Sequence, residues 1–282
     1  SAVRHASHSS MGLDFADIDR DGRDDLLVLD MLARDRSKRL MHPGRTAPDL
    51  GERETAAARP LFSRNSLYLG RADGTYAESA WIAGLAATDW SWCPVFLDVD
   101  LDGYEDLLVT NGFEQDVLDQ DSTDGIRKRK WTPEQVKRYR QIHPRWDSNN
   151  AAFRNRGDGT FEGKGADWGF DLQGVSNGMA VADLDNDGDL DVVVNNLNAP
   201  AALYRNEATA PRIALHLKGT APNTQGIGAR ITLTGGPVAQ SQEMIAGGRY
   251  LSGDEAVRVF AGGTNASAAL RLEVRWRNGR VT

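Results

Sequence analysis

Three copies of one acidic loop constrain this chain more than any other feature. They read DIDRDGRDD at 17–25, DVDLDGYED at 98–106 and DLDNDGDLD at 183–191. Each has Asp at positions 1, 3, 5 and 9 and Gly at position 6. The carboxylates are therefore Asp17, Asp19, Asp21 and Asp25 in the first loop. Asp98, Asp100, Asp102 and Asp106 stand in the second, and Asp183, Asp185, Asp187 and Asp191 in the third. Four carboxylates on a short loop repel one another unless a cation lies between them. A hard dication such as Ca²⁺ takes six to eight oxygen ligands, and the glycine permits the turn that wraps them round it. The sequence thus predicts about three structural Ca²⁺ ions. Position 9 is expected to close each shell in bidentate fashion, and the carbonyls of Arg23, Tyr104 and Asp189 at position 7 are expected to complete it.

The helix-flanked EF-hand needs a bidentate Glu at position 12. Here that position is Val28, Val109 and Val194, so each loop is expected to feed a β-strand instead. The loops recur at intervals of 81 and 85 residues inside a longer repeat. An alternating strand precedes each one and sets Phe15, Phe96 and Val181 on one face, two residues before the first Asp. A nearly continuous apolar run follows (LLVL, LLVT, VVVN), as expected of a strand covered on both faces. Further on come RNSLYLGRADGTY at 64–76, NNAAFRNRGDGTF at 149–161 and a shortened PAALYRNEA at 200–208. Asp-Gly at 73–74 and 158–159 predicts hairpins into a fourth strand begun by Tyr76 or Phe161.

Four antiparallel strands per repeat make the blade of a β-propeller. The expected fold is all-β: a partial propeller of about three blades over 1–209, then a small β-sandwich-like domain over 210–282. Closed propellers have four to eight blades. Either further blades lie outside this piece of chain or the blades form an open arc; bare sheet edges favour the first. Two insertions interrupt the repeats. The one at about 33–62 reads as an irregular loop. The one at about 112–150 contains a short helix, with Thr132 as N-cap, Pro133 at N1 and Gln135 completing a capping box, ending before Pro144.

With loops, strands and turns in place, the repeat resembles the FG-GAP or VCBS calcium-binding repeat of integrin α-chain propellers and many secreted bacterial proteins. The last third, with Asn223 and Gly226-Ile-Gly-Ala-Arg230, resembles the ASPIC/UnbV module of the cartilage acidic protein family. It departs from that family at RVFAGG and at WRNG, where Arg277 replaces proline. The resemblance implies a calcium-dependent, extracellular or envelope-associated protein, and some relatives are encoded in enediyne biosynthesis clusters.

Other features separate binding from catalysis. The formal charge is −7, and three bound dications would bring it to about −1, so the acidity is site chemistry. No nucleic-acid partner is expected. Nor does any stretch approach the eighteen apolar residues of a membrane span, and no signal pattern opens the sequence. A lone Cys93 excludes an intrachain disulfide. The five histidines show no metal-ligand spacing beyond the terminal His5/His8 pair, and no G-x-S-x-G, H-E-x-x-H or P-loop occurs. Arg156-Gly157-Asp158 matches an integrin-binding tripeptide but coincides with a hairpin turn, and Asn265-Ala266-Ser267 matches a glycosylation acceptor. The basic stretch from Arg127 to Arg145 reads as a solvated helix or a polyanion site. Trp81, Trp90 and Trp92 read as blade packing, or else a sugar platform. Gly226 and Gly228 read as turn residues. The expected function is a secreted or envelope-exposed module for adhesion or for binding a protein or glycan. The alternative is an enzyme of carbohydrate or natural-product metabolism, with its site at the propeller centre or the junction with the C-terminal domain.

Overall fold

A computed structural model describes residues 2–282 apart from 43–59, 118, 130, 141, 142, 144 and 265–268. The first insertion's centre and the Asn265 acceptor lie outside the described residues. Strands dominate, and each acidic loop joins two antiparallel strands, as the valine at position 12 requires. In the first blade Leu13–Ala16, Asp25–Val28, Ser66–Gly70 and Tyr76–Glu78 lie in that spatial order. The second blade repeats it with Asp89–Leu97, Asp106–Asn111, Ala151–Asn155 and Phe161–Gly163. The short strand Met31–Leu32, from the first repeat, adds to its inner edge. Ser176–Ala182, Asp191–Asn196 and Ala202–Tyr204 make the third blade, which has three strands among the described residues. Register is the same in all three: Phe15 pairs Leu26, Phe96 pairs Leu107 and Val181 pairs Val192.

Both Asp-Gly hairpins form, but not as two-residue turns with positive φ at both centres. Arg71 N–H donates to the Thr75 carbonyl and Gly74, at φ 77°, supplies the left-handed position. The loop is thus wider, with Asp73 accepting from the Thr75 amide at 2.9 Å. In the second blade Asp158 does the same for Thr160, and Arg156 reaches Glu162 at 3.3 Å. The Arg-Gly-Asp tripeptide is therefore engaged in its own hairpin.

Blades stack face to face. Ile18, Leu27 and Leu67 of the first blade pack against Phe96, Leu107, Phe153 and Phe161 of the second. Leu97, Leu108 and Phe170 pack in turn against Met179, Val181 and Val192 of the third, joined by Val257 and Val259 of the C-terminal domain. The residue two before each loop faces the preceding blade, which explains a departure from the sequence pattern. Phe96 and Val181 are buried, whereas Phe15 is 54% exposed, with no preceding blade against it among the described residues.

Two sheets form the C-terminal domain. Arg212–Leu215 pairs with Arg258–Ala261, and Gln240–Glu243, Arg230–Thr234 and Arg271–Arg275 form a three-stranded sheet. Between them lie Ile231, Leu233, Met244, Phe260 and Val274. Asn223 donates to the Ile227 carbonyl and accepts its amide, both at 2.8 Å. With Gly226 and Gly228 at positive φ, the segment is a tight turn, as its glycines suggest.

Four helices are described, all short. Pro133–Arg140 carries the anticipated capping box: Thr132 N–H reaches Gln135 Oε1 at 2.9 Å and Gln135 N–H returns to Thr132 Oγ1 at 3.4 Å. Arg36–Met41, capped by Asp35, interrupts the first insertion, expected to be irregular. Gln120–Arg129 is a second helix in the other insertion. The two insertions meet where His42 Nε2 lies 3.2 Å from Asp116 Oδ1 and His42 stacks on Trp146. Trp90 and Trp92 are buried beside Trp146, as blade packing predicts. Trp81 stands apart from them, 59% exposed on the helix Ala80–Ala83.

Candidate metal centres

Each loop is built from the same backbone. Position 4 takes a left-handed conformation at Arg20 (φ 63°), Leu101 (φ 56°) and Asn186 (φ 61°). The position 6 glycines follow at φ 85°, 100° and 92° for Gly22, Gly103 and Gly188. Two left-handed residues in three fold the loop back on its own first carboxylate. The position 6 amide then donates to position 1: Gly103 to Asp98 at 2.9 Å, Gly188 to Asp183 at 3.1 Å, and Gly22 to Asp17 at 3.1 Å.

Position 9 ties three segments together. One oxygen accepts the amide of position 2: Ile18 to Asp25 at 3.0 Å, Val99 to Asp106 at 2.9 Å, Leu184 to Asp191 at 3.0 Å. The other accepts an amide at or just past the end of the third strand, from Gly70, Asn155 and Asn206, each at 2.8 Å. Carboxylates at positions 1, 3 and 9 converge in every loop, with one oxygen each from Asp17, Asp19 and Asp25 lying within 4.8 Å of one another. The same holds for Asp98, Asp100 and Asp106, and for Asp183, Asp185 and Asp191.

Position 5 turns elsewhere. Asp21, Asp102 and Asp187 each accept the position 7 amide, at 2.9 Å, 2.9 Å and 3.0 Å. Each also pairs with an arginine: Asp21 with Arg23, Asp102 with Arg154 at 2.5 Å, Asp187 with Arg212 at 3.1 Å. Of the four carboxylates the sequence assigns to each ion, three are brought together and the fourth caps the turn. Arg23, Tyr104 and Asp189 occupy position 7 as expected. Asp189 has both carboxylate oxygens buried, with Arg212 Nη1 3.3 Å from Oδ2.

Burial sets the electrostatics. It pushes Asp98 up to about 8, against the Gly103 hydrogen bond, and Asp25 up to about 7, against amides from Gly70 and Ile18. Asp106, fully buried, is raised well above the usual carboxylate range for the same reason. Buried acids crowded this way resist ionisation until a cation reverses the balance. Asp100 Oδ1 is likewise buried without a partner. All the converging donors are oxygens, which suits a hard cation over a transition metal. The residues present fit Ca²⁺.

A second candidate site lies where the blades meet the C-terminal domain. A cavity of about 440 Å³ is lined by Leu13 and Phe15, by Phe96 and Val181 from the neighbouring inner strands, and by Arg249 and Arg258. Arg249 is buried between Asp14 and Asp254 Oδ2, the latter at 2.8 Å. Arg258 donates to the carbonyls of Glu243 and Val257, both at 2.7 Å, and has no carboxylate partner among the described residues. Burial, with Arg249 nearby, lowers it to about 10. Sequence reasoning missed these residues. Asp14, an acid inside an apolar strand, was the available signal.

Comparison with known families agrees with this geometry. A family model described as FG-GAP-like repeat matches residues 52–109 and 145–194, and one described as ASPIC and UnbV matches 219–282. This is an FG-GAP repeat protein with a C-terminal ASPIC and UnbV domain. The FG-GAP match includes the second and third loops; the first, at 17–25, lies outside it and has the same hydrogen bonds. No match was found among curated proteins. None of the helices among the described residues is long and apolar enough to cross a membrane.

Proposed function

We propose that the protein is a calcium-stabilised, extracellular or envelope-exposed β-propeller module that binds a protein or glycan partner, with its division between propeller and C-terminal domain at about residue 209. The observation that carries the calcium reading is the convergence of three carboxylates in each of three loops with one shared backbone geometry. Asp17, Asp19, Asp25, Asp98, Asp100, Asp106, Asp183, Asp185 and Asp191 would hold the ions directly. Asp21, Asp102 and Asp187 would join them by rotating from their arginines, and the position 7 carbonyls would follow. A bound dication would neutralise each carboxylate cluster and fix the entry of the following strand. FG-GAP repeats typify extracellular and envelope proteins, which supports that location. Further blades beyond this piece of chain remain part of the proposal.

Thermal unfolding with calcium and with chelator tests it. A ligand at a hundred times its Kd adds about 2.7 kcal/mol per site, so saturating Ca²⁺ should raise the melting temperature by more than about 5 °C. Equal melting temperatures, with no metal by elemental analysis, would sink the reading. The second reading, an enzyme acting on carbohydrate or in natural-product assembly, is favoured by the cavity of about 440 Å³ at the junction. That volume lies within the usual small-molecule range of roughly 300–1,000 Å³.

A further inference from the structure

Among the described residues the third blade lacks the outer strand that the first two possess, and the space that strand would occupy is open. Equivalence between the second and third blades is residue by residue. Asn155 donates its side-chain amide to Ile18 O at 2.9 Å, and Asn206 does so to Val99 O at 3.0 Å. Phe153 pairs Leu107 as Tyr204 pairs Val192. After Asn155 the chain turns back and Phe161–Gly163 closes the blade, pairing Asn155 with Phe161 and Arg154 with Glu162. After Asn206 it leaves for the C-terminal domain. Phe161, 8% exposed, fills the crevice between the first and second blades.

The matching crevice between the second and third blades is a cavity of about 370 Å³, with Val99, Leu108, Trp168, Phe170, Val192 and Tyr204 among its walls. One glycine pair shows that it is open. A Cβ built on Gly84 would meet Phe161 O at 3.5 Å, whereas its counterpart Gly169 has nothing within 4 Å. The sheet edge is open too. In the second blade Lys164 N–H donates to Ala152 O and Arg156 N–H to Thr160 O, which puts those groups on the outer edge. Their equivalents in the third blade are Leu203 O and Glu207 N–H, which have no backbone partner among the described residues. Leu203 is 71% exposed. An edge of this kind invites strand addition, where main-chain bonds give affinity and side-chain pockets give specificity.

Charge indicates what would enter. In the second blade Arg156 faces Glu162 of the added strand at 3.3 Å. In the third blade Glu207 replaces Arg156; its side chain is 76% exposed and lies 3.4 Å from Arg205 Nε, an exposed pair that a basic residue of the entering strand could compete for. Asp167, 67% exposed and paired with Lys164 at 3.0 Å, stands at the same mouth. A strand suited to this slot carries a basic residue where the second blade has Glu162.

We propose that the outer edge of the third blade is a peptide-binding site. It takes an extended segment of a partner protein, antiparallel to Ala202–Tyr204, whose aromatic side chain fills the crevice and whose next residue is Lys or Arg. The probe is a fluorescein-labelled peptide of residues 157–164 carrying Glu162→Lys, titrated into the intact chain and read by anisotropy. Saturable binding is expected. Phe161→Ala in the peptide and N-methylation at residue 162 should each weaken it at least tenfold, the first by emptying the crevice and the second by removing an edge hydrogen bond. Glu207→Lys in the protein should reverse the preference at least tenfold, toward the peptide that keeps Glu162. Exchange of the Glu207 amide should slow on binding. Absence of saturable binding, or binding indifferent to both peptide changes, would overturn the proposal. So would concentration-dependent dimerisation that protects the same amide without peptide, which would make a second copy the occupant.

Discussion

Position 9 and position 5 of the acidic loops look alike in sequence and differ in role. Asp106 bonds the Val99 amide at 2.9 Å and the Asn155 amide at 2.8 Å, so it holds the loop to two strands whether or not an ion is present. Asp102 caps one turn and pairs with Arg154 near the surface. Asp106→Ala leaves two buried amides unpaired, at about 1–3 kcal/mol each, and should lower stability in chelator as well as in calcium. Asp102→Ala should cost little in chelator and appear mainly as weaker calcium-dependent stabilisation. Urea unfolding of both variants under both conditions separates the roles; equal losses in chelator would refute the distinction. A different residue governs the acid limb. Burial of Glu78 works to raise its pKa, but the guanidinium of Arg64, at 2.7 and 2.9 Å, and the Ala80 amide outweigh it and hold the carboxyl below its usual range. A depressed carboxyl contributes stability that is present above its unfolded pKa of about 4.3 and lost as pH falls through the folded value. Glu78→Gln should therefore lower the melting temperature at pH 7 and match the parent near pH 3. A constant difference across that range would refute the account.

Between elements, neighbouring blades are joined through position 4 of one loop and position 8 of the next. Arg20 reaches Glu105 at 2.7 Å and the Gly103 carbonyl at 2.6 Å, both side chains nearly enclosed. In the next pair those positions are Leu101 and Leu190, members of one apolar cluster. Removing one partner of a buried ion pair costs about 3–5 kcal/mol, while replacing both by apolar groups is often neutral or stabilising. Arg20→Met should therefore destabilise by that amount, and adding Glu105→Leu should return most of it. A double variant no more stable than the single one would disprove the equivalence of the two interfaces. This pairing shows what a sequence can reveal. Loop positions, strand order, hairpins and the Thr132–Gln135 box were legible, because each rests on contacts between residues close along the chain. The partners of Arg20 were not, since Glu105 lies 85 residues away and nothing local marks the pair. The shared face of Phe15, Phe96 and Val181 was legible, but the exposure of Phe15 was not, because burial depends on a preceding blade and none stands before the first among the described residues. The helix Arg36–Met41 was missed inside an insertion without clear periodicity. The arginines that meet position 5 in the second and third loops were not legible either, because Arg154 and Arg212 reach those carboxylates from distant strands.

At the scale of the whole molecule, the C-terminal domain touches the acidic loops of all three described blades and links the first to the third. Arg230 pairs with Asp24 of the first loop, Pro237 and Val238 pack against Gly103 of the second, and Arg212 binds Asp187 and Asp189 of the third. The inner strands of the first and third blades are joined through one side chain. Arg249 contacts Asp14 on the first inner strand and Asp254 Oδ2 at 2.8 Å, and Asp254 accepts the Val181 amide of the third at 3.2 Å. Asp14 also accepts the Phe96 amide of the second blade at 2.8 Å, so this network reaches the inner strand of every blade. Arg249→Ala would leave two buried carboxylates facing each other, a loss of about 3–5 kcal/mol. The consequence is one of cooperativity. Without that link the first blade loses its connection through Asp254 to the third, and calorimetry should show one transition for the parent and a broadened or split one for the variant. A uniform fall in melting temperature with the transition still single and equally sharp would mean that the packing of the first blade on the second, and of the second on the third and the C-terminal domain, already couples them into one unit, and that Arg249 adds stability without coupling.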